Sequence, residues 1–125
     1  MSNTLSILVR GNVSFVSIKD CLESFVGHRF TKSEEVDWNL YEAYVLGMHI
    51  SLFDEPGFVD DSGIMFSQYP FVIDVDTASM TLEDDIKQDC SKCFSSLLAN
   101  TLTKHVHCDC VVVENLQRVV ATFTP

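Results

Sequence analysis

Two alternating segments, Met48-His-Ile-Ser-Leu-Phe53 and Phe71-Val-Ile-Asp-Val75, decide the fold of this chain. In each segment the apolar side chains fall on every second residue, which is the period of a β-strand with one buried face. The acidic segment 54–70 separates them and contains Pro56 and Gly63, residue types that favour loops. The pattern predicts strand, loop, strand. A loop held by two strands is a common place for a functional surface.

The N-terminal part of the chain predicts one strand and one helix. Leu5–Val9 alternates as a strand does, and Gly11 follows it closely. Between Ile18 and Val26 the apolar residues recur at every third or fourth position, after a capping sequence that begins at Ser17. We therefore predict an amphipathic helix between two strands.

The middle of the chain predicts a hairpin. Segment 31–37 is rich in charge and predicts a polar loop. Residues 38–46 then alternate, and Gly47 allows a turn into the strand that begins at Met48. The alternative is one continuous bent strand.

A second helix and a final hairpin complete the pattern. Thr81 is a suitable cap for a helix that ends near residue 99 or 100, and segments 107–113 and 119–123 alternate as two strands. The predicted buried stripe of this helix consists of Leu82, Ile86, Cys90, Cys93, Phe94, Leu97 and Leu98. The order β-α-β-β-β-α-β-β lacks regular βαβ alternation. It predicts one α+β domain over residues 1–125, with a mostly antiparallel sheet and two helices packed on one face.

The charge of the chain limits its classes of function. The 125 residues carry 18 acids and 8 bases, for a net charge of −10. Such a chain repels nucleic acid and anionic membranes and attracts basic partners, and its few bases form no stripe. No apolar run approaches the roughly 20 residues of a membrane span. The first residues lack the features of a signal peptide, so we expect a cytoplasmic protein.

The histidines and cysteines near the C-terminus raise the question of a zinc site. His105, His107, Cys108 and Cys110 lie within six residues of one another, and both residue types bind zinc. If this segment is a strand, the histidines point to one face and the thiols to the other, so they do not converge on one ion. We predict no metal, and we expect the five cysteines to be free thiols packed as small apolar residues. A metalloprotein that uses these four residues is the alternative.

The sequence also lacks motifs for catalysis. It contains no Gly-x-Ser-x-Gly element and no glycine-rich phosphate loop, and the acidic segment does not match a calcium-binding EF-hand. Cys90 and Cys93 fall inside the predicted helix, whereas redox motifs of this spacing begin a helix. We predict that the protein is not an enzyme and needs no cofactor.

Protein recognition is the function that fits the predicted loops. Acids and aromatic residues are interleaved there, and aromatic anchors inside a charged rim are typical of binding hot spots. The alternative is that these aromatic residues fix the loops to the core. The predicted contact residues are Glu34, Glu35, Asp37, Trp38, Asp54, Glu55, Phe58, Asp60, Asp61 and Tyr69.

Three segments of the central region resemble a known class of proteins. They are His49-Ile-Ser-Leu-Phe-Asp54, Asp60-Asp-Ser-Gly-Ile64 and Phe66-Ser-Gln-Tyr-Pro-Phe-Val-Ile-Asp74. They resemble small bacterial immunity proteins, which protect cells from polymorphic toxins, including those of contact-dependent growth inhibition. The resemblance implies a cytoplasmic, non-catalytic protein that binds and neutralises a cognate toxin domain, often a nuclease with a basic site. The alternative is a non-catalytic adaptor that binds a basic protein partner.

Overall fold

The structure is a computed structural model that describes residues 4–54, 60, 63–77 and 83–125. In these residues seven strands, two α-helices and one short 3-10 helix follow one another along the chain. They are β1 (Leu5–Arg10), α1 (Phe15–Val26), β2 (Thr31–Lys32), β3 (Leu40–Val45), β4 (Met48–Asp54), the 3-10 helix Phe66–Gln68, β5 (Phe71–Thr77), α2 (Asp84–Val106), β6 (Asp109–Glu114) and β7 (Arg118–Phe123).

The strands of the described chain form one antiparallel sheet in the order β2-β3-β4-β5-β1-β6-β7. β1 is first in sequence but lies inside the sheet, where it pairs with β5 on one side and β6 on the other. Because these partners lie far along the chain, alternation in the sequence could not reveal this order. The predicted α+β fold with a mostly antiparallel sheet is confirmed.

Both helices pack on the same face of the sheet. Ile7, Ile50 and Ile73, on three neighbouring strands, point toward this face and are fully buried. They pack in one cluster with Leu22 of α1 and Leu98 of α2. Each such side chain contributes about 1.5–3 kcal/mol on burial, so this cluster is the main source of stability.

A smaller cluster covers part of the opposite, helix-free face. Segment 63–69 lies over this face and contributes most of its cover through Ile64 and Phe66. The strand residues beneath it are Leu8, Val72, Val111 and Val113. The part of the face on β3 and β4 carries mainly polar side chains, which are described below.

The N-cap of helix α1 lies three residues earlier than predicted. Ser14, not Ser17, is the N-cap: it has an extended backbone, and its Oγ accepts a hydrogen bond from the N–H of Ser17 at 3.1 Å. Ser17 resembles a cap in sequence because it precedes an apolar stripe. In the structure Ser17 is already inside the first turn, and its N–H is one of the free helix N–H groups that the Ser14 side chain satisfies. The predicted stop at Gly27 is confirmed, since Gly27 has φ 72° and its N–H donates to Glu23 O at 2.9 Å.

Helix α2 is longer than predicted. It continues to Val106 and ends at His107, which adopts the left-handed conformation with φ 55°. The predicted end near residue 99 or 100 is wrong because Leu102 and Thr103 are buried and extend the helical packing. The following strand therefore begins at Asp109 instead of residue 107. The predicted cap, Thr81, lies outside the described residues.

The buried face of α2 also differs from the predicted stripe. Ile86, Cys93 and Leu97 are exposed. Leu98 of the predicted stripe is buried, and so are Ser91, Ser95, Ala99, Leu102 and Thr103, most of which are small. Small side chains let the helix lie close to the sheet, and a stripe of large apolar residues does not identify such a face.

Ser95 provides a test of this packing. Its side chain is fully buried, and its Oγ has no hydrogen-bond partner in the described part of the chain. A buried polar group without a partner costs roughly 1–3 kcal/mol, and alanine also forms helix more readily than serine. We expect Ser95→Ala to raise the free energy of unfolding by about 1 kcal/mol in urea denaturation. Ser96→Ala has the same gain in helix propensity at a less buried site, and an equal rise there would contradict this explanation.

The predicted hairpins agree with the structure more closely than the predicted helix bounds do. Leu46 and Gly47 both have positive φ, 53° and 75°, and form a two-residue turn between β3 and β4. The predicted hairpin is therefore confirmed over the bent strand. The C-terminal hairpin is also confirmed, as β6 pairs with β7. The prediction of a loop over 31–37 is wrong for Thr31 and Lys32, which pair with β3 as β2.

Candidate partner-binding surface

A closed loop presents several of the predicted contact residues. Residues 33–39 connect β2 to β3, and the N–H of Ser33 donates to Leu40 O at 2.8 Å across the base of this loop. Glu34, Glu35 and Asp37 in the loop are exposed. Three carboxylates are therefore held on a short connection whose two ends are fixed by backbone hydrogen bonding.

Trp38 anchors this loop to the sheet while staying accessible. Its ring meets the ring of Phe53 edge-on, with centroids 5.6 Å apart and planes at 75°. Phe53 in turn packs against the cluster on the helix-free face. Trp38 nevertheless keeps 49% of its surface exposed, an unusual amount for a large aromatic side chain.

A hydrogen bond joins the same loop to the end of β4. Asn39 Nδ2 donates to Asp54 Oδ2 at 3.3 Å. The structure thus places the 33–39 loop beside Asp54, the first residue of the acidic segment 54–70. We call Glu34, Glu35, Asp37, Trp38 and Asp54 the Trp38 surface.

Asp60 and Tyr69 have roles inside the fold. The carboxylate of Asp60 accepts hydrogen bonds from the N–H and the hydroxyl of Ser67, at 2.8 and 3.1 Å. The ring of Tyr69 lies beneath the guanidinium of Arg10, 5.1 Å from its carbon to the ring centroid. Both residues stabilise segment 63–69 on the sheet, and their contact with a partner stays a prediction.

Three further predicted contact residues cannot be placed. Glu55, Phe58 and Asp61 lie outside the described residues. They are close in sequence to Asp54 and Asp60, and their role stays a prediction.

A second group of polar side chains occupies the helix-free face beside the Trp38 surface. We call it the sheet-face cluster; its members come from β1, β3, β4 and β5 and are Ser6, Glu42, Tyr44, His49, Ser51, Asp74 and Asp76. The strand pairing sets Ser51 between Glu42 and Asp74. Alternation assigns each residue to a face, but only the strand register brings them together, so sequence reasoning missed this cluster.

His49 lies at the centre of the sheet-face cluster. Its Nε2 is 3.2 Å from Glu42 Oε1 and 3.5 Å from Ser51 Oγ, and its ring stacks on Tyr44 with centroids 4.5 Å apart. Hydrolytic triads use opposite nitrogens of the imidazole for the acid and the hydroxyl. Here both contacts use the same nitrogen, so this geometry does not form such a relay.

Asp74 is the buried acid of the cluster. Burial raises the pKa of its carboxyl, the nearby charge of Asp76 raises it further, and the hydrogen bond from Ser6 Oγ at 2.6 Å only partly opposes the shift. A raised pKa in the folded state means that the ionised carboxylate opposes folding. This cost is fully present above the folded pKa and disappears as the pH falls below the unfolded value, near 4.

We therefore expect Asp74→Asn to raise the free energy of unfolding at pH 7.5. The amide carries no charge, and its oxygen can still accept from Ser6. The gain should shrink as the pH falls toward 4, because the carboxyl of the parent protein then takes up its proton. Urea denaturation across this pH range measures both effects. Asp89→Asn, at an exposed position on α2, controls for the lower net charge; an equal gain from it would contradict the role of burial.

The cysteines and C-terminal histidines do not form a recognisable metal site. Among the described residues, no group of three histidine, cysteine or acidic side chains is placed to hold an ion. His105 lies in α2 and His107 caps it, so the prediction that both share a strand face is wrong. Cys108 and Cys110 are buried, as predicted, with their Sγ atoms 3.8 Å apart.

These two thiols influence each other. The hydrogen bond between them and burial raise the pKa of the Cys110 thiol, whereas accepting that hydrogen bond lowers the pKa of Cys108. All five cysteines are free, and Cys93 is exposed, which contradicts its predicted packing in the core.

Two further findings concern the helices and the similarity of the chain to known proteins. Neither helix of the described residues has the length and apolar character needed to cross a membrane. Comparison of the chain with protein-family models, curated proteins and solved structures found no match.

Proposed function

We propose that this chain is a cytoplasmic immunity protein that binds and neutralises a cognate toxin domain, most simply a nuclease, through the Trp38 surface. The observation that carries the proposal is the exposure of Trp38, 49%, on a loop that Phe53 and Asp54 hold in place. An aromatic side chain fixed in this way loses little freedom on binding, and such residues dominate many interfaces.

The charge around Trp38 indicates the chemistry of the partner. Glu34, Glu35 and Asp37 are exposed beside it, and the whole chain carries a net charge of −10. Carboxylates in this arrangement attract a basic surface and speed its capture. Nucleases bind phosphate through basic sites, so an acidic inhibitor competes with nucleic acid for the same charge. The resemblance of segments 49–54, 60–64 and 66–74 to immunity proteins supports the same assignment.

The proposed function requires a partner and no reaction. Binding alone neutralises a toxin when the complex blocks access to its active site or to its substrate.

The direct test is co-expression with the C-terminal domain of the large protein encoded beside this gene. We expect a one-to-one complex to purify on a tag carried by one partner, and growth to return to cells poisoned by that domain. With both proteins folded, the absence of a complex and of rescue would overturn the immunity assignment. A complex without rescue would instead favour the adaptor.

Charge reversal locates the surface within that complex. We expect the double variant Glu34→Lys, Glu35→Lys to weaken binding about tenfold at low salt, with a smaller loss at high salt because ions screen exposed charges. Calorimetry at two salt concentrations measures the difference. Asp20→Lys, Asp89→Lys makes the same change in net charge at exposed helix positions. Equal losses in the two double variants would show that overall charge, not this surface, determines binding.

A further inference from the structure

The sheet-face cluster has a feature that its own contacts do not explain. Tyr44 lies on β3 and keeps 67% of its surface exposed, although its ring stacks on His49 at 4.5 Å with an angle of 15° between the planes. One face of the tyrosine ring is thus covered by an aromatic neighbour. The extent of its exposure leaves the other side open to a ligand.

The sheet edge explains why that side is open. β2 has only two residues, and its first, Thr31, pairs with Glu42. No strand residue of the described chain lies beyond Thr31 to cover Tyr44 from the edge. A notch of about 280 Å³ occurs here, bordered by Thr31, Glu42 and Tyr44 among other residues. Two basic residues, His28 and Lys32, also border it; Lys32 pairs with Tyr41, whose side chain lies on the helix side of the sheet.

The carboxylate of Glu42 is placed to act together with this ring. Glu42 and Tyr44 are two residues apart on one strand, so their side chains share a face. In the described part of the chain the contact of Glu42 with His49 uses Oε1, which leaves Oε2 for another donor. A planar ring and a carboxylate side by side match two recognition modes of a guanidinium, stacking and a charge-assisted hydrogen bond.

The charge of the sheet-face cluster favours a cation. Asp74 and Asp76 lie on the same face, and the cluster contains no lysine or arginine. It has more acceptors than donors: Oδ1 of Asp76 is buried and has no hydrogen-bond partner among the described residues. Negative potential from these carboxylates adds to the attraction of Glu42 for a positive group.

We propose that Tyr44 and Glu42 form a binding site for an arginine side chain of the protein partner. Arginine fits better than lysine because its guanidinium is planar, weakly hydrated and able to stack on an aromatic ring. A divalent ion fits less well, since no three ligands converge in the described residues. The site extends the Trp38 surface along β3, and its assignment to a partner rests on the proposed function.

The binding chemistry can be tested on the isolated full chain. We would titrate N-acetyl-arginine methylamide into the labelled protein at constant ionic strength, follow the backbone amides by NMR, and repeat the titration with the lysine analogue. We expect saturable shifts centred on Glu42, Tyr44 and His49, with weaker binding of lysine. Shifts spread over the surface, or equal binding of both analogues, would overturn the proposal.

Two variants make the test specific. We expect Tyr44→Leu to weaken arginine binding about two- to fivefold and to remove the preference over lysine, because the ring interaction is lost. Glu42→Gln should weaken binding of both analogues. Phe25→Leu changes another exposed aromatic residue, 42% exposed against 67% for Tyr44, on the helix side of the molecule and should have no effect. Provided that every variant is folded, unchanged arginine binding in Tyr44→Leu would overturn the proposed site.

The same variants separate this site from the proposed function. A toxin domain that binds the parent protein but is indifferent to Tyr44→Leu would refute the site as a partner contact while leaving the immunity function intact. Saturable arginine binding together with no toxin complex would refute the immunity function and leave the arginine site standing.

Discussion

We expect Trp38→Ala to weaken binding of the cognate toxin domain by about thirtyfold, roughly 2 kcal/mol, without unfolding the protein. A central aromatic side chain contributes its apolar area and its rigidity, and truncation removes both. The fold should survive because Trp38 is half-exposed and the loop keeps two other attachments. These are the Ser33–Leu40 backbone hydrogen bond and the Asn39–Asp54 contact.

The measurement is calorimetric titration of the purified toxin domain, with thermal denaturation to establish that the variant is folded. Phe25→Ala is the matched control, since Phe25 is an aromatic residue of comparable exposure, 42%, on α1. We expect its affinity to stay within about twofold of the parent protein. If Trp38→Ala also stays within that range, the interface has its centre elsewhere. A loss in both variants would indicate a general structural effect.

The sequence predicts this surface in part. The acids could be assigned to loops because they interrupt alternating segments, whereas Trp38 begins the alternating segment 38–46 and lies in the 33–39 loop of the structure. That loop contacts the end of β4 through Trp38–Phe53 and Asn39–Asp54. The structure also gives Asp60 a local role, because its carboxylate accepts hydrogen bonds from the N–H and the hydroxyl of Ser67. Carboxylates in loops often accept such hydrogen bonds. The sequence does not show which donor each carboxylate contacts. Asp54 accepts a hydrogen bond from Asn39, whereas Asp60 accepts from Ser67, and only the folded chain reveals these partners.

The sheet-face cluster shows a different limit. The period of two correctly predicts that His49 and Ser51 share one face of β4. Finding Asp76 opposite His49 also requires the pairing of β4 with β5 and its register. Register depends on the length and geometry of the connection between the strands, which alternation within each strand does not contain.

The helices were predicted correctly as elements and incorrectly in their details. α2 extends beyond the predicted end because Leu102 and Thr103 continue its buried face, whereas the histidines and β-branched residues that follow suggested an early strand. Its contact with the sheet uses Ser91 and Ser95, which hydrophobic periodicity does not count. The helical spacing of the apolar residues therefore predicted that a helix forms here. It did not predict which face of the helix packs on the sheet, because that face includes the small residues Ser91 and Ser95.

The adjacent residues Leu97 and Leu98 test this rotation of α2 directly, because the sequence pattern predicts that both lie on its buried stripe. Leu98 is fully buried in the main core, but Leu97 is 51% exposed. We expect Leu98→Ala to lower the free energy of unfolding by about 3 kcal/mol, from lost burial and the cavity that remains. Leu97→Ala makes the same change in helix propensity at an exposed site and should change stability by about 0.5 kcal/mol or less. Urea denaturation of the two variants measures the contrast. Similar losses at both positions would mean that α2 packs through the large apolar stripe, with Ser91 and Ser95 turned away from the sheet. A large loss at Leu98 alone agrees with the observed rotation of α2, in which Leu98, Ser91 and Ser95 are buried and Leu97 is exposed.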